Sequence, residues 1–428
     1  MGLAVTAALV TSSANFVLPP SNILAGAVCV ELDNNPAGAS NLEALQVILS
    51  DQPDLGLPRQ QHFLLRKNLN NTIELTWVDH TDQPMHYRST FQANAKGPTV
   101  ILFCLDHARP GTVKLAYFSS GATTSQTGWV IENVACPEPN PGLPNNYANP
   151  IFACSNGSGN RPMRGAMYWY ALWDRWPGDD AAAAMMGQAD GVMRSPLRFS
   201  REHLIACRVF HDAASPDFDL ITGDPGMITG TFSAIADPAR VEMLDLIGHS
   251  AEKDTYITSA VVEGNFGAAL TTQFGANASC YRRTLLGFGN LIEQGKWNIP
   301  PGAMIVSATL RGHCRQPSGS AQPFSAYGLA EDFTEGGCTD GSVADGVTCN
   351  TQPGLLSDSR TPGFAQPVMI GAASYEIAAT VQALLASGGL CGIELKRDAE
   401  SAPLGFCSFD SLEADPDAWR LEIVYDPP

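Results

Sequence analysis

Apolar and polar residues alternate over many short stretches in the N-terminal half of the chain. A period of two residues places every second side chain on the same face of a β-strand, so these stretches predict strands with one face on a core. The clearest alternating sets are Val28, Val30 and Leu32; Leu45, Val47 and Leu49; Ile73, Leu75 and Trp77; Val100, Leu102 and Cys104; and Val113, Leu115 and Tyr117. Turn-forming residues separate the last two sets, which predicts a β-hairpin.

Further along the chain the pattern predicts both kinds of element. Residues 181–186 are rich in alanine and favour a short helix, whereas 203–210 have the pattern of a strand. Residues 304–310 predict another strand, which follows a Pro-Pro-Gly turn. Val306 lies on the more apolar face of that strand, and we therefore expect it to be buried more deeply than Ile305.

The composition favours an all-β fold. The chain has 428 residues, of which 44% are hydrophobic and only 16% are charged, and its 40 Gly and 30 Pro indicate frequent turns. A chain of this length is expected to form two or three domains. We expect sandwiches at 1–195 and 251–428. The turn-rich segment 196–250 either connects them or completes the first.

The formal net charge is −18. Such a surface repels phosphate backbones and anionic lipids, so we expect neither a nucleic acid nor a membrane as a partner. The sequence has no run of 18 or more apolar residues, so it predicts no membrane-spanning helix. Residues 2–10 are apolar, but the first basic residue is Arg59. We therefore expect this segment to be the first strand and not a signal peptide.

The 11 Cys residues follow no zinc-ligand or disulfide spacing. Several lie in strand-like stretches, where we expect them to be small buried side chains. Cys338 and Cys349 lie in one glycine-rich segment. The sequence leaves open whether these two form a disulfide.

Three stretches of the N-terminal half suggest a known type of sandwich. They are the strand-like residues 16–19 and 27–32, the hairpin at 99–121 and the aromatic strand at 164–175. Together they resemble the opening strands, the central hairpin and the closing strand of laminin-G-like, or concanavalin-A-like, domains. The resemblance implies a β-sandwich for 1–195.

Several strings in the C-terminal half follow one another in a recognisable order. They are DTYI at 254–257, YRRTLLGF at 281–288, IPPGAMIVSATL at 299–310, DFTEG at 332–336, DGVTCNT at 345–351 and LEIVY at 421–425. In this order they resemble DNRLRE-type domains, jelly rolls related to carbohydrate-binding modules, although Phe333 and Cys349 stand where that family usually has Trp. With the first sandwich, the resemblance implies an all-β chain of two jelly-roll-type β-sandwich domains joined by a turn-rich connector.

Aromatic residues concentrate at the end of the first predicted sandwich. Alternation places Trp169 and Trp173 on one face of a strand, where we expect them to pack in the core. Tyr168, Tyr170 and Trp176 would then point outward. We expect these three to form a binding surface for a glycan or for another subunit.

Acidic residues gather in the glycine-rich segment of the second predicted sandwich. Asp332, Glu335, Asp340 and Asp345 offer oxygen ligands on a loop, which is the ligand type that Ca²⁺ prefers. Laminin-G-like and jelly-roll domains often bind this ion. Calcium is therefore the one cofactor that the sequence suggests, against the alternative that these residues cap turns.

The sequence contains no convincing paired acids, nucleophile–base pair or metal-hydrolase motif, so we expect no enzyme. Two binding-type sandwiches without a leader predict a virion structural protein made in the host cytoplasm, such as a capsid decoration, head fibre or tail appendage. Its partners would be virion or self subunits, with a cell-surface glycan as a further ligand. One alternative is a secreted or surface carbohydrate-binding protein, located outside the cell. Another is a polysaccharide lyase or glycosidase accessory protein, for which Tyr117 and His62 are the lyase candidates.

Overall fold

The fold was analysed in a computed structural model of the chain. It describes residues 2–16, 23–33, 46–51, 63–68, 72–78, 84–92, 97–106, 112–119, 130–135, 149–154, 163–187, 192–199, 201–210, 219–221, 226–235, 241–277, 279–293, 296–343, 345–400 and 405–428. The described chain divides into two compact units, 1–244 and 245–428.

The described part of the first unit is built from strands, one α-helix and two short 3-10 turns. Its strands are β1 (Gly2–Phe16), β2 (Ile23–Leu32), β3 (Gln46–Ser50), β4 (Leu64–Lys67), β5 (Thr72–Val78), β6 (Pro84–Gln92), β7 (Thr99–Asp106), β8 (Thr112–Ser119), β9 (Val130–Ala135), β10 (Asn149–Ala153), β11 (Gly165–Trp173), β12 (Leu204–Val209) and β13 (Gly226–Ile235). Helix α1 spans Asp179–Met185, and the 3-10 turns are Pro196–Arg198 and Arg201–His203.

The described part of the second unit has strands and one α-helix. The strands are β14 (Asp245–Ser250), β15 (Lys253–Thr258), β16 (Thr271–Ala276), β17 (Tyr281–Asn290), β18 (Met304–Gln316), β19 (Pro323–Gly328), β20 (Thr361–Ala365), β21 (Gly371–Glu376), β22 (Leu390–Arg397), β23 (Gly405–Asp410) and β24 (Trp419–Asp426). Helix α2 spans Ala378–Ala386.

The first unit's described strands form one sheet in the order β6-β5-β4-β3-β10-β1-β11-β2-β7-β8-β9. Strand β12 pairs with β11 and strand β13 with β1, so two strands of the segment 196–250 belong to this sheet. The predicted hairpin is confirmed, because β7 and β8 pair antiparallel. Leu75, Leu49 and Val28 come from well-separated strands of the sheet and share one hydrophobic core. The sheet therefore folds over itself as a sandwich.

The second unit's described strands follow the order β14-β24-β18-β23-β16-β17-β22-β19-β20, with β15 beside β17 and β21 beside β18. Its core joins residues from both halves of this order, among them Ile423 on β24, Leu310 on β18 and Ile393 on β22. Helix α2 contributes Val381 and Leu384 to the same core. The all-β prediction with β-sandwich units is confirmed.

Strand β18 departs from the simple alternation that the sequence predicts. A β-bulge lies between Ile305 and Ser307, where the pairing with β24 shifts register. The bulge reverses which residues face the core. Ile305 is therefore buried in the core, whereas Val306 is only half-buried and lies outside it. The expectation that Val306 is the more deeply buried of the two is wrong.

Of the two α-helices in the described chain, the sequence predicts only the first. Helix α1 confirms the short helix expected at 181–186. Helix α2, with the sequence AATVQALLA, was not predicted, although its Ala, Leu and Gln residues are good helix formers. No helix in the described part of the chain is long and apolar enough to cross a membrane.

Candidate functional site

The structure buries two of the three aromatic residues that we expected at a binding surface. Tyr168 is 1% and Tyr170 2% exposed. Strand β11 lies inside the sheet, and every side chain from Ala166 to Trp173 is buried, so both of its faces are covered. The Tyr168 hydroxyl donates to Glu31 Oε2 at 3.3 Å. The prediction that Tyr168 and Tyr170 point outward is wrong, because alternation separates two faces without showing that one is open.

The remaining aromatic residues of this region behave differently from one another. Trp169 and Trp173 are fully buried, which confirms their expected burial, although the main core of the first unit takes Tyr170 and Leu172 from this strand. Trp176 follows the strand and is partly exposed. Its Nε1 donates to Asp179 Oδ1 at 2.7 Å, at the first turn of α1. Of the predicted trio, Trp176 alone keeps an accessible ring.

The four acidic residues expected to bind Ca²⁺ do not converge. Asp332 pairs with the Lys253 ammonium at 2.5 Å. Asp340 accepts a hydrogen bond from Ser342 N at 2.9 Å, and Asp345 accepts one from Gly337 N at 2.9 Å. The predicted set is wrong as a single site, since three of its members are used in local turns and a surface ion pair.

Glu335, the fourth member, meets carboxylates from two other parts of the chain. One oxygen each from Asp254, Glu335 and Glu413 lie within 4.8 Å of one another, and we call these three residues the carboxylate cluster. Asp254 is buried at 1% exposure, Glu335 is half-buried and Glu413 is exposed. Backbone amides orient two of them, because Asp254 N donates to Glu335 Oε1 at 2.8 Å and Leu412 N donates to Asp254 Oδ2 at 3.0 Å.

The carboxylate cluster concentrates negative charge in a poorly solvated place. Burial raises the pKa of Asp254 to about 8, and the carboxylates of Glu413 and Glu335 add to the rise. Burial, with Glu413, raises the pKa of Glu335 to about 7. Three acids this close can all ionise only at a considerable electrostatic cost, unless a cation joins them.

The structure also decides the open question about the cysteines. Cys338 and Cys349 are both free thiols. Cys338 Sγ contacts Asp340 Oδ1 at 3.3 Å, and Cys349 Sγ lies 3.2 Å from the Tyr281 hydroxyl. No disulfide joins them. The lyase candidates, the Tyr117 side chain and His62, lie outside the residues that the structure describes.

A second group of polar and aromatic residues lies on neighbouring strands of the second unit. Glu394 on β22 is opposite Leu285 on β17 and opposite Tyr327 on β19. Residues directly opposite one another share a face of the sheet. Residues of the other parity, such as Leu286 and Ile393, face the core. The other face is covered at Leu285 by a smaller hydrophobic cluster. Beside that cluster it carries a set of residues that we call the polar face: Tyr281, Arg283, Tyr327, Glu394 and Lys396.

Tyr327 lies at one end of the polar face, is partly exposed and has two cations close to its ring. The Lys396 ammonium lies 4.5 Å from the ring centroid and the Arg360 guanidinium 5.9 Å from it. Arg360 in turn pairs with Asp398 at 3.0 Å and donates to Ser325 Oγ at 3.1 Å. Each of these side chains is therefore held in place by another.

Arg283 organises the other end. Its guanidinium lies 4.5 Å from the centroid of the Tyr281 ring. It makes a bidentate pair with Glu400, at 2.7 and 2.8 Å, and donates to Gln352 Oε1 at 3.2 Å. Such fork-to-carboxylate pairs fix geometry as well as charge.

Glu394 joins the two ends. It is 0% exposed, and its carboxylate lies 3.5 Å from Arg283 and 3.6 Å from Lys396. Within the described chain neither carboxylate oxygen receives a hydrogen bond. Burial raises the pKa of Glu394, although both cations oppose the rise. Sequence reasoning missed this site, although the alternating strings Tyr281-x-Arg283 and Glu394-x-Lys396 were a usable signal.

Comparisons with known proteins add similarity of fold only. No protein-family model and no curated protein sequence matches the chain. Solved structures that resemble it include the CBM40 module of the Ruminococcus gnavus IT-sialidase, with 9% identity over 43% of this chain and 96% of that one, at a TM-score of 0.28. Tailspike protein 2 of the Escherichia coli O157:H7 bacteriophage CAB120 matches with 11% identity over 49% and 26%, at 0.32. Domains LG4-5 of mouse laminin α1 match with 7% identity over 99% and 83%, at 0.25. Because these TM-scores are low, the all-β sandwich fold rests on the sheets and cores described above.

Proposed function

We propose that the protein binds a glycan through the polar face and does not turn it over. The observation that carries the proposal is the Tyr327 ring, which is partly exposed, with the Lys396 ammonium 4.5 Å and the Arg360 guanidinium 5.9 Å from its centroid. An aromatic surface beside fixed donors and acceptors suits a sugar, which has apolar C–H faces and many hydroxyl groups. Because the side chains already hold one another, binding would cost little side-chain ordering.

The charge of this region supports a neutral polyhydroxyl ligand. The cations Arg283, Arg360 and Lys396 are matched one to one by the acids Asp398, Glu394 and Glu400. The polar face and its border are therefore formally neutral, on a protein whose net charge is −18. A polyanionic or polycationic partner would be expected to meet a patch of one sign.

Glycan-array screening of the full chain, followed by calorimetric titration of the best ligand, tests the proposal. We expect Tyr327→Ala and Arg360→Ala each to weaken binding at least tenfold. Arg311→Ala is the matched control, because Arg311 is exposed to a similar degree as Arg360 and also pairs with an acid. It should bind like wild type. If no glycan binds, or if all three variants bind equally, the proposal fails.

The same titrations separate binding from catalysis. We expect the bound glycan to be recovered intact after prolonged incubation. New reducing ends or unsaturated products would instead support the lyase or glycosidase alternative. A place in a virion, as a decoration or appendage, is a further proposal that mass spectrometry of purified particles would test.

A further inference from the structure

We infer that the carboxylate cluster of Asp254, Glu335 and Glu413 is a calcium-binding site. The three residues lie far apart in sequence, at the start of β15, in the β19–β20 connection and between β23 and β24. The fold nevertheless brings one oxygen of each within 4.8 Å of the others. The evidence for this inference does not rest on the proposed glycan binding, because none of these residues belongs to the polar face.

The strongest evidence is a buried carboxylate oxygen of Asp254 that has no hydrogen-bond partner in the described chain. Asp254 is 1% exposed, and its Oδ1 is buried without a hydrogen-bond partner in the described chain. Its other oxygen accepts from Leu412 N. A buried carboxylate oxygen without a donor is costly, and such atoms call for a bound cation or a water molecule. The neighbouring carboxylates of Glu335 and Glu413 favour the cation.

No protein cation fills this role in the described part of the chain. Lys253, next to Asp254 in sequence, directs its ammonium to Asp332 at 2.5 Å and to the Phe333 carbonyl at 2.7 Å. None of the described Lys, Arg or His side chains forms an ion pair with a member of the cluster. The charge of Lys253 opposes the rise in the pKa of Glu335 that burial causes, but Lys253 makes no ion pair with the cluster, so the three acids lack a bound protein cation within the described chain.

The backbone holds Glu335 firmly enough for a preformed site. Gly267 and Gly346 both pack against its carbonyl oxygen, and a Cβ at either glycine would lie 2.3 or 2.4 Å from that atom. The Asn265 side chain donates to the same carbonyl at 2.5 Å. The loop that presents Glu335 is thus fixed by close backbone contacts rather than by the cluster itself.

The chemistry of the donors selects the ion. Carboxylate oxygens are hard ligands that favour Ca²⁺ or Mg²⁺ over softer metals. Ca²⁺ takes about six to eight oxygen ligands in a flexible geometry, whereas Mg²⁺ keeps several of its waters and is usually held by only one or two carboxylates. Three carboxylates, with one oxygen of each within 4.8 Å of the others, therefore fit calcium.

Calorimetric titration of the full, EDTA-treated chain with CaCl₂ tests the inference. We expect one site per chain, with a Kd between about 10 μM and about 1 mM. Glu413→Gln should weaken binding at least tenfold, and Asp254→Asn should abolish it. Glu413 is exposed, so its variant should keep the wild-type circular dichroism spectrum and melting temperature in EDTA even if Asp254→Asn unfolds.

Glu331→Gln is the matched control, since Glu331 is an exposed acid outside the cluster, in the β19–β20 connection that carries Glu335. It should change the Kd less than twofold. Equal effects of Glu331→Gln and Glu413→Gln would mean that calcium binds only to the general acidic surface, and would overturn the site. Absence of binding at 5 mM CaCl₂, or equally tight binding of MgCl₂, would overturn it as well.

Discussion

The bulge in β18 predicts opposite consequences for two adjacent apolar residues. Ile305 is 8% exposed and packs in the main core of the second unit. Val306 is half-buried and outside that core. We therefore expect Ile305→Ala to destabilise the second unit severely and Val306→Ala to do so only slightly.

The magnitudes follow from burial. Truncating a buried Ile to Ala costs about 2–5 kcal/mol, and a residue with slight exposure should fall near the middle, at about 3 kcal/mol. Val306→Ala removes fewer carbons from a partly solvated site, and should cost about 1 kcal/mol or less. For a unit of this size, each kcal/mol lowers the melting temperature by about 2–4 °C. The two variants should thus differ by several degrees.

Differential scanning calorimetry of the full chain measures this difference. Hydrogen exchange of peptides from 245–428 assigns the affected transition to the second unit. Met304→Ala provides the control, since Met304 is 55% exposed and should be neutral. A Val306→Ala variant that is as unstable as Ile305→Ala, or more so, would show that the strand alternates without the bulge.

Two further changes test the buried polar and aromatic groups. Trp169→Ala should cost about 3–5 kcal/mol and lower the melting temperature of the first unit, because the ring is fully buried. Glu394→Gln should gain stability relative to wild type as the pH rises above the unfolded pKa of about 4.5. Burial raises the native pKa of Glu394 against the opposing charges of Arg283 and Lys396, with Glu400 adding to the rise. The native state therefore favours the protonated acid, and wild type loses stability above the unfolded pKa. Melting curves across this pH range check the sign, and parallel wild-type and variant profiles would contradict it.

Much of the strand content could be predicted from alternation alone. The stretch Val100 to Cys104 and its hairpin partner are examples, because local pattern and turn residues decide such elements. The parity of β18 could not be predicted, since the bulge depends on pairing with β24. The burial of Tyr168 and Tyr170 was missed for a related reason. Whether the second face of a strand is open depends on what packs over it, which alternation does not encode.

The predicted calcium ligands were also chosen from local sequence, without knowledge of which distant segments pack together. Proximity in sequence suggested Asp332, Asp340 and Asp345 as companions of Glu335. The structure instead pairs Glu335 with Asp254 and Glu413, which lie in distant segments. Long-range strand order brings those segments together, and no local spacing predicts it. Of the carboxylate cluster, the sequence prediction contained Glu335 and missed Asp254 and Glu413.

The β19–β20 connection links the two proposed sites. It carries Glu335 into the carboxylate cluster, and it also carries Gln352, which accepts a hydrogen bond from Arg283 on the polar face. The same connection contributes Phe333 and Val347 to a small hydrophobic cluster. A long loop with so small a core depends on polar contacts for its order. Calcium would therefore favour the loop conformation in which the polar face is complete, and a bound glycan would strengthen calcium binding by the same factor.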